Sequence, residues 1–223
     1  MSAGATRIIA IRHGETAWNA GSRLQGHRDV PLNEHGRRQA ACLAAALADE
    51  GIAAVVSSDL GRAAETARAF AQPLGLPLTL DAGLRERGFG VLEGHTYDEI
   101  EAGFPEMARR WRTRDPGFGP PGGESLNDFY GRSVAAAVRW AAAHEGSTIA
   151  LVTHGGVLDC LYRAALRLEL QAPRSWQLGN AAINRLLHTG EGFTLVGWND
   201  HQHLAVLDRE AALPALVKDD AAA

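Results

Sequence analysis

Arg7-Ile8-Ile9-Ala10-Ile11-Arg12-His13-Gly14-Glu15-Thr16-Ala17-Trp18-Asn19 is the stretch that decides how the chain is read. The unbroken apolar run Ile8 to Ile11 predicts a short strand buried on both faces. The run stops at Arg12-His13, and Gly14 breaks it at once. Such a strand delivers a guanidinium and an imidazole to the edge of a sheet. In open α/β sheets that edge is where ligands bind.

Outward from this strand, Asn33 is placed to cap a helix over Glu34 to Asp49, with Ala40, Leu43, Ala44 and Leu47 as its apolar stripe. Ile52 to Val56 reads as a second buried strand, followed by Ser57-Ser58-Asp59 as the cap of a helix from Leu60 to about Leu74. Leu78-Thr79-Leu80 is a short strand. Strands alternating with helices over short loops predict a parallel sheet with right-handed crossovers. The alternation lapses from Arg85 to Gly123, a segment rich in glycine and proline that holds the cationic cluster Arg109-Arg110-Trp111-Arg112. It reads as an irregular lid with short helices over the sheet edge. A helix through Ala143, a strand Ser147 to Thr153, a helix Val157 to about Leu168 and a hairpin from strands Ala182 to Leu187 and Phe193 to Trp198 complete the pattern. The fold class is α/β: a three-layer α/β/α sandwich with a mostly parallel central sheet, an antiparallel edge strand and a lid insertion. It reads as one domain over 1–223, with the lid at about 87–123 and a loose tail at about 208–223.

Composition narrows the function. The 223 residues carry a formal net charge of −4, which argues against nucleic acid or an acidic membrane surface as partner. No apolar run approaches the roughly 18 residues of a membrane span, and the first residues lack the features of a signal peptide. The two cysteines, Cys42 and Cys160, lie in Ala- and Leu-rich helical segments and read as small apolar residues in a reducing cytoplasm. Oligomeric state stays open, a homodimer included.

Two predicted strands end alike, in Ile11-Arg12-His13-Gly14 and Val152-Thr153-His154-Gly155. Parallel and central, they bring both histidines to one edge. Arg62, in the first turn of the helix after the second strand, adds a cation to a helix N-terminus that attracts anions. Two arginine forks with two histidines describe a site for a phosphoryl group, whose transfer needs charge neutralisation, an in-line nucleophile and a proton for the leaving oxygen. A histidine can be the covalent nucleophile, and a carboxyl group can supply the proton. Glu86, at the root of the lid, is the candidate. No aspartate-rich magnesium motif is evident, so neither metal nor cofactor is expected. His201-Gln202-His203 raises a metal-dependent hydrolase as a rival, but alternating histidines on an extended segment read more simply as one outward and one inward.

Arg12-His13-Gly14-Glu15 resembles the RHGE motif of the histidine phosphatase superfamily, whose members are phosphoglycerate mutase-like. The resemblance runs from Arg7 to about Leu204 through Leu24-Gln25-Gly26, Ser57-Ser58-Asp59-Leu60-Gly61-Arg62, Leu84-Arg85-Glu86, Gly123-Glu124-Ser125, Thr153-His154-Gly155 and Trp198-Asn199. It implies that His13 becomes phosphohistidine, and that Arg12, Arg62 and His154 bind phosphoryl oxygens with Asn19 and the Gly155 amide assisting. Glu86 would be the proton donor and then the base for water, and Gln25 and Gly26 would line the pocket. The implied substrate is a small-molecule phosphomonoester.

The superfamily holds both phosphatases and 2,3-bisphosphoglycerate-dependent mutases. Gly26-His27-Arg28-Asp29, the absence of a lysine near Phe89 to His95, and Gly155-Gly156 after His154 resemble the broad phosphatase branch. Arg109-Arg110 pulls toward the mutase, where an arginine pair grips a carboxylate, unless it is a solvated helix face with Trp111 packed beneath. A non-catalytic phosphoester-binding protein is a third reading, one that would be signalled by loss of His13, Arg62, Glu86 or His154, all of which are present.

Overall fold

The central apolar run forms β1 (Thr6–Arg12), and its alternation decides where the two cores lie. Ile8 and Ala10 face one side, Ile9 and Ile11 the other, and all four are buried. The computed structural model describes residues 4–212. Beside β1 lies β4 (Thr148–Thr153), parallel and in register from Arg7 opposite Thr148 to Arg12 opposite Thr153. β2 (Ile52–Ser57) pairs with the far side of β4, and β3 (Leu78–Leu80) pairs with β2, both parallel. On the other flank β5 (Ile183–Thr189) runs antiparallel to β1, and β6 (Gly192–Asp200) antiparallel to β5. The six strands among the described residues therefore lie in the order β3-β2-β4-β1-β5-β6.

Helices cover both faces, because the central strands are apolar on both. α2 (Glu34–Leu47) and α3 (Gly61–Ala71) pack Leu43, Leu47, Ala63, Ala67 and Phe70 on Ile9, Ile11, Ala150 and Val152. On the opposite face α6 (Leu126–Ala142) and α7 (Gly155–Leu166) set Phe129, Ala136, Leu158 and Leu161 against Ile8, Ala10, Ile149 and Leu151. β1 leads into α2 on one face and β4 into α7 on the other, so the chain diverges at the adjacent carboxyl ends of β1 and β4. Such a divergence opens a crevice at the sheet edge.

The lid carries its own apolar cluster. A 3-10 turn at Gly90–Leu92, α4 (Tyr97–Gly103) and α5 (Pro105–Arg112) gather Phe89, Leu92, Ile100 and Ala108, with Leu24, Met107 and Trp111 packed against them. Its root is closed by the bridge Phe89–Gly123. Gly90 there has φ +51°, and a Cβ would stand 2.1 Å from the Pro121 carbonyl oxygen, so only glycine fits.

Some expectations need correction. Ser57-Ser58-Asp59 does not cap α3: its N-cap is Leu60, with no side-chain cap of its own, and Asp29 Oδ1 accepts from Gly61 N at 2.8 Å instead. α2 stops at Leu47, two residues early, and α7 starts at Gly155 rather than Val157. The tail expected from about 208 is helical as far as Ala212 in α8 (Ala205–Ala212), and 213–223 lie outside the described residues. His203 sits in a 3-10 turn, Gln202–Leu204, and not on an extended segment. Asn33 does cap α2, its Oδ1 accepting from Gly36 N at 2.7 Å. Cys160 is buried, as read, and burial pushes its thiol up, whereas Cys42 is only half-buried. No described helix is long and apolar enough to cross a membrane.

The loop after β1 is pressed onto α2 by paired glycines. A Cβ on Gly14 would lie 2.4 Å from the Gly36 carbonyl oxygen, and one on Gly36 would lie 2.0 Å from the Glu15 carbonyl oxygen. Gly36→Ala therefore lowers unfolding stability by about 1–3 kcal/mol, since backbone must move to admit it. Gly131→Ala, in α6 with nothing within 4 Å of the new methyl, raises it by about 0.5–1 kcal/mol. Urea unfolding checks both, and equal midpoints for the two variants would contradict the packing described.

Candidate active site

The carboxyl ends of β1 and β4 open into a cleft of about 860 Å³ lined by Arg12, His13, Asn19, Gln25, Arg62, Glu86 and Gly155 among others. His13 follows β1 directly. Its backbone N donates to Thr153 O at 2.9 Å, so the strand pairing itself fixes where the ring starts. Its carbonyl accepts from Asn180 Nδ2 at 3.0 Å. The ring Nδ1 stands 2.7 Å from Gly14 O, a carbonyl that can only accept, so the proton sits on Nδ1 and Nε2 keeps a lone pair. Burial, with Arg62 and Arg12 close by, holds the His13 imidazole well below its ordinary range, and the ring is neutral at pH 7. A neutral imidazole with a free Nε2 is a nucleophile.

His154 occupies the N-cap position of α7 without a side-chain cap bond and is wholly buried, its ring centroid 5.1 Å from that of His13. Its Nε2 meets Ser58 Oγ at 2.8 Å, and its buried Nδ1 has no hydrogen-bond partner among the described residues. Burial first, and then the neighbouring Arg62, His13 and Arg12, hold it well below the ordinary histidine range as well.

The arginines are held by carbonyl oxygens and not by carboxylates. Arg62, 1% exposed, donates to Gly26 O and Arg28 O, each at 2.8 Å. Arg12 donates through Nη1 to Leu178 O. Neither forms an ion pair with a described residue, and the Nε of each is buried without a partner. Burial draws Arg12 down to about 10, which leaves it charged at neutral pH. Two cations without a bonded carboxylate among the described residues, Arg62 buried and Arg12 half-buried, with Glu86 as the main opposing charge on both, stand beside a neutral nucleophile and favour an anion there.

Glu86 reaches the same place from the lid root. Its Oε2 accepts from Gly156 N at 3.0 Å and its Oε1 from Arg87 N at 2.8 Å. The first bond joins it to the N-terminus of α7. A Cβ on Gly156 would lie 2.1 Å from Glu86 Oε1, so that glycine is what lets the carboxyl in. Thr153 Oγ1 donates to Leu84 O, and Arg132 donates to the Arg85 and Glu86 carbonyls, which ties the segment to β4 and α6.

The structure thus brings His13, Arg12, Arg62, Glu86 and His154 together. Asn19 lines the cleft, its Oδ1 locked in a capping box with Thr16. Gln25 lines it too, with a buried Oε1 that has no partner among the described residues. Gly26 does not: with φ +53° it turns its carbonyl onto Arg62, so it holds the cation and does not line the wall. The N-terminus of α3 is likewise taken by Asp29, and Arg62 alone is that helix's contribution. Of the lid pair, Arg110 lines the cleft and is bonded to Asp115, whereas Arg109 is exposed and bonded to Glu106. Trp111 packs on Phe89. His201 is exposed and the Nε2 of His203 is buried. Among the described residues no three His, Cys, Asp or Glu side chains gather as a metal site.

Sequence reasoning missed Ser58, Asn180 and Arg132. A serine in a loop, an asparagine before a strand and an arginine on a helix carry no local signal of these partners.

Residues 8–201 match the model of the histidine phosphatase superfamily, branch 1. The chain belongs to that superfamily. It is 40% identical over 201 residues to phosphoglycerate mutase-like protein 4 of Arabidopsis thaliana, covering 88% of this chain and 86% of that one. A mycobacterial glucosyl-3-phosphoglycerate phosphatase, solved with VO3, superposes with a TM-score of 0.79 at 34% identity, over 87% of this chain and 99% of that one. Phosphoserine phosphatase from Entamoeba histolytica, in complex with 3-phosphoglyceric acid, gives 0.80 at 29% identity over 89% and 99%. The chain is accordingly an enzyme of the phosphoglycerate mutase-like, histidine phosphatase type.

The depressed histidines make folding sensitive to acid. His13 and His154 each take up a proton on unfolding once the pH is below about 6.5, so stability is full above that value and falls as pH drops toward their native-state range. Urea unfolding between pH 7 and 5 shows this loss, and a His13→Asn/His154→Asn double variant shows a shallower one. Equal slopes would contradict the buried, neutral state.

Glu86→Gln, which keeps size but cannot give up a proton, slows hydrolysis of alkyl phosphates by about 10²-fold or more and of aryl phosphates far less. Gly156→Ala, by displacing the carboxyl, shifts the same ratio in the same direction. Equal slowing of both ester classes would remove Glu86 as the proton donor.

Proposed function

We propose that this chain is a phosphomonoester phosphatase that works without a metal through a phosphohistidine on His13. The observation that carries the reading is a pair of guanidiniums, Arg62 buried and Arg12 half-buried, without bonded carboxylates among the described residues and both acting on a neutral His13 with a free Nε2. The phosphoryl oxygens satisfy the free Nε groups of Arg12 and Arg62 and the Nδ1 of His154. At an effective dielectric constant near 20, one such charge contact at 4 Å is worth about 4 kcal/mol. Nε2 of His13 attacks phosphorus as the ester P–O bond breaks, and Glu86 gives its proton to the leaving oxygen. Glu86 then takes a proton from water as that water's oxygen attacks the phosphohistidine, which releases phosphate and restores His13. Charge developing on the equatorial oxygens is met by donors that are already in place, so little reorganisation is needed.

The names of the relatives keep a mutase in view. Its carboxylate grip needs Arg109 and Arg110 together, and Arg109 stands outside the cleft on Glu106. That separation favours the phosphatase, as does the likeness to two named phosphatases. We further place the enzyme in the cytoplasm, where Cys42 and Cys160 stay reduced.

The test is direct. With a chelator present, wild-type protein releases phosphate from p-nitrophenyl phosphate, and His13→Ala does not. Conversion of 3- to 2-phosphoglycerate in the presence of 2,3-bisphosphoglycerate, with little phosphate release, would overturn the phosphatase reading, and release by His13→Ala would remove the nucleophile.

A further inference from the structure

The Arg62 guanidinium is held by one turn of chain. Its Nη2 donates to Gly26 O and its Nη1 to Arg28 O, each at 2.8 Å, so the two carbonyls flank His27. The His27 amide is engaged elsewhere: its N donates to Glu93 Oε1 at 2.9 Å. Gly26 O and His27 N belong to the same trans, planar peptide. In such a unit C=O and N–H point in opposite directions, and fixing one fixes the other. Glu93 and Arg62 therefore grip the two ends of one rigid group, a carboxylate on its N–H and a guanidinium on its C=O. Each polarises the peptide in the sense that strengthens the other's bond. Gly26 permits the approach, because a Cβ there would lie 2.1 Å from Glu93 Oε1. The same Oε1 accepts from Phe89 N at 3.1 Å, at the root of the lid, and the Glu93 side chain is only 12% exposed. The ends of the turn are anchored without Glu93. Gly94 N donates to Leu24 O and Leu24 N to His95 O, while Asp29 Oδ1 accepts from Gly61 N. The His27 ring reaches Glu86 O at 2.8 Å, but through rotatable side-chain bonds that leave the peptide free to tip.

We propose that Glu93 is a positioning residue for phosphoryl binding: it fixes the peptide between Gly26 and His27, whose carbonyl in turn sets the Arg62 guanidinium. The inference rests on the phosphatase reading above and adds a residue to the machinery of that same site. Arg62 meets the phosphoryl oxygens and not the leaving alcohol. Loss of Glu93 therefore weakens binding and turnover of phosphomonoesters alike, whatever their alcohol. That separates it from Glu86, whose proton goes to the leaving oxygen.

The test measures kcat/KM for p-nitrophenyl phosphate and n-hexyl phosphate, and calorimetric affinity for inorganic phosphate, in wild type, Glu93→Ala and Glu93→Gln. The alanine variant loses the acceptor, and the glutamine variant keeps an amide oxygen at the same reach. Glu93→Ala lowers both kcat/KM values and the phosphate affinity about tenfold, while Glu93→Gln stays within about threefold of wild type. In an Arg62→Ala background Glu93→Ala costs less than about twofold in kcat/KM for p-nitrophenyl phosphate, because the group it positions is gone. A role confined to holding the lid would cost the same factor in both backgrounds, and that outcome overturns the proposal. So does a glutamine variant as impaired as the alanine one, or a loss restricted to the alkyl ester. Where Glu93→Ala does not fold, Glu93→Asp, which withdraws the carboxylate by one methylene, takes its place with the same expectations. Failure of the wild type to hydrolyse either ester would sink the phosphatase reading alone. Phosphate affinity then decides the inference: a loss of about tenfold in Glu93→Ala that Glu93→Gln restores supports it, and equal affinities overturn it.

Discussion

Two positive charges stand at the edge of a sheet, Arg62 buried and Arg12 half-buried, with no negative charge bonded to either among the described residues, and much of the surrounding structure exists to make that tolerable. A buried guanidinium must have its hydrogens satisfied or it destabilises the fold by several kcal/mol. Here main-chain carbonyls take up part of that demand, Gly26 and Arg28 for Arg62 and Leu178 for Arg12, delivered by two separate stretches of chain. Carbonyl dipoles quiet the hydrogens without cancelling the charge. Burial first, and then the remaining field, keeps His13 unprotonated, and the same field leaves a doubly charged oxyanion as the natural neutraliser. Binding and nucleophile activation are thus two results of one arrangement.

The geometry depends equally on glycines that let backbone approach where a side chain would not allow it. Gly14 and Gly36 seat the loop after β1 on α2, and Gly156 admits the Glu86 carboxyl to the start of α7. The register of β1 on β4 then does the rest. With Arg12 opposite Thr153, the next residue on each strand is a histidine, and the two rings meet without any long-range device.

This explains what was legible in the sequence and what was not. The strands, the helices and the five residues His13, Arg12, Arg62, Glu86 and His154 were legible because each sits where periodicity changes: at a strand end, in a helix's first turn or at the root of a loop. Gly26 was misread as pocket wall because glycine advertises only backbone freedom, and which way its carbonyl turns is settled by Arg62, 36 residues away. The capping of α3 by Asp29 was illegible for a similar reason: the local Ser57-Ser58-Asp59 sequence suits a cap, while the fold uses the Ser58 hydroxyl on His154 and Asp59 on Arg85. The lid was recognisable as an interruption, yet the division of Arg109 and Arg110 between solvent and cleft depends on the rotation of a helix of eight residues, which composition does not encode.

The lid's separate apolar cluster has a consequence for how this protein can change over time. Phe89 and Trp111 belong both to that cluster and to the wall of the cleft, whereas the two sheet cores contain neither. Substitutions that repack the lid share no partners with the residues that hold the strands, and their energies add to those of core substitutions without coupling. Descendants of this gene can therefore redraw the outline of what enters the cleft by drift in a few aromatic positions, while the strand ends that carry the chemistry stay under their own, unaltered constraints.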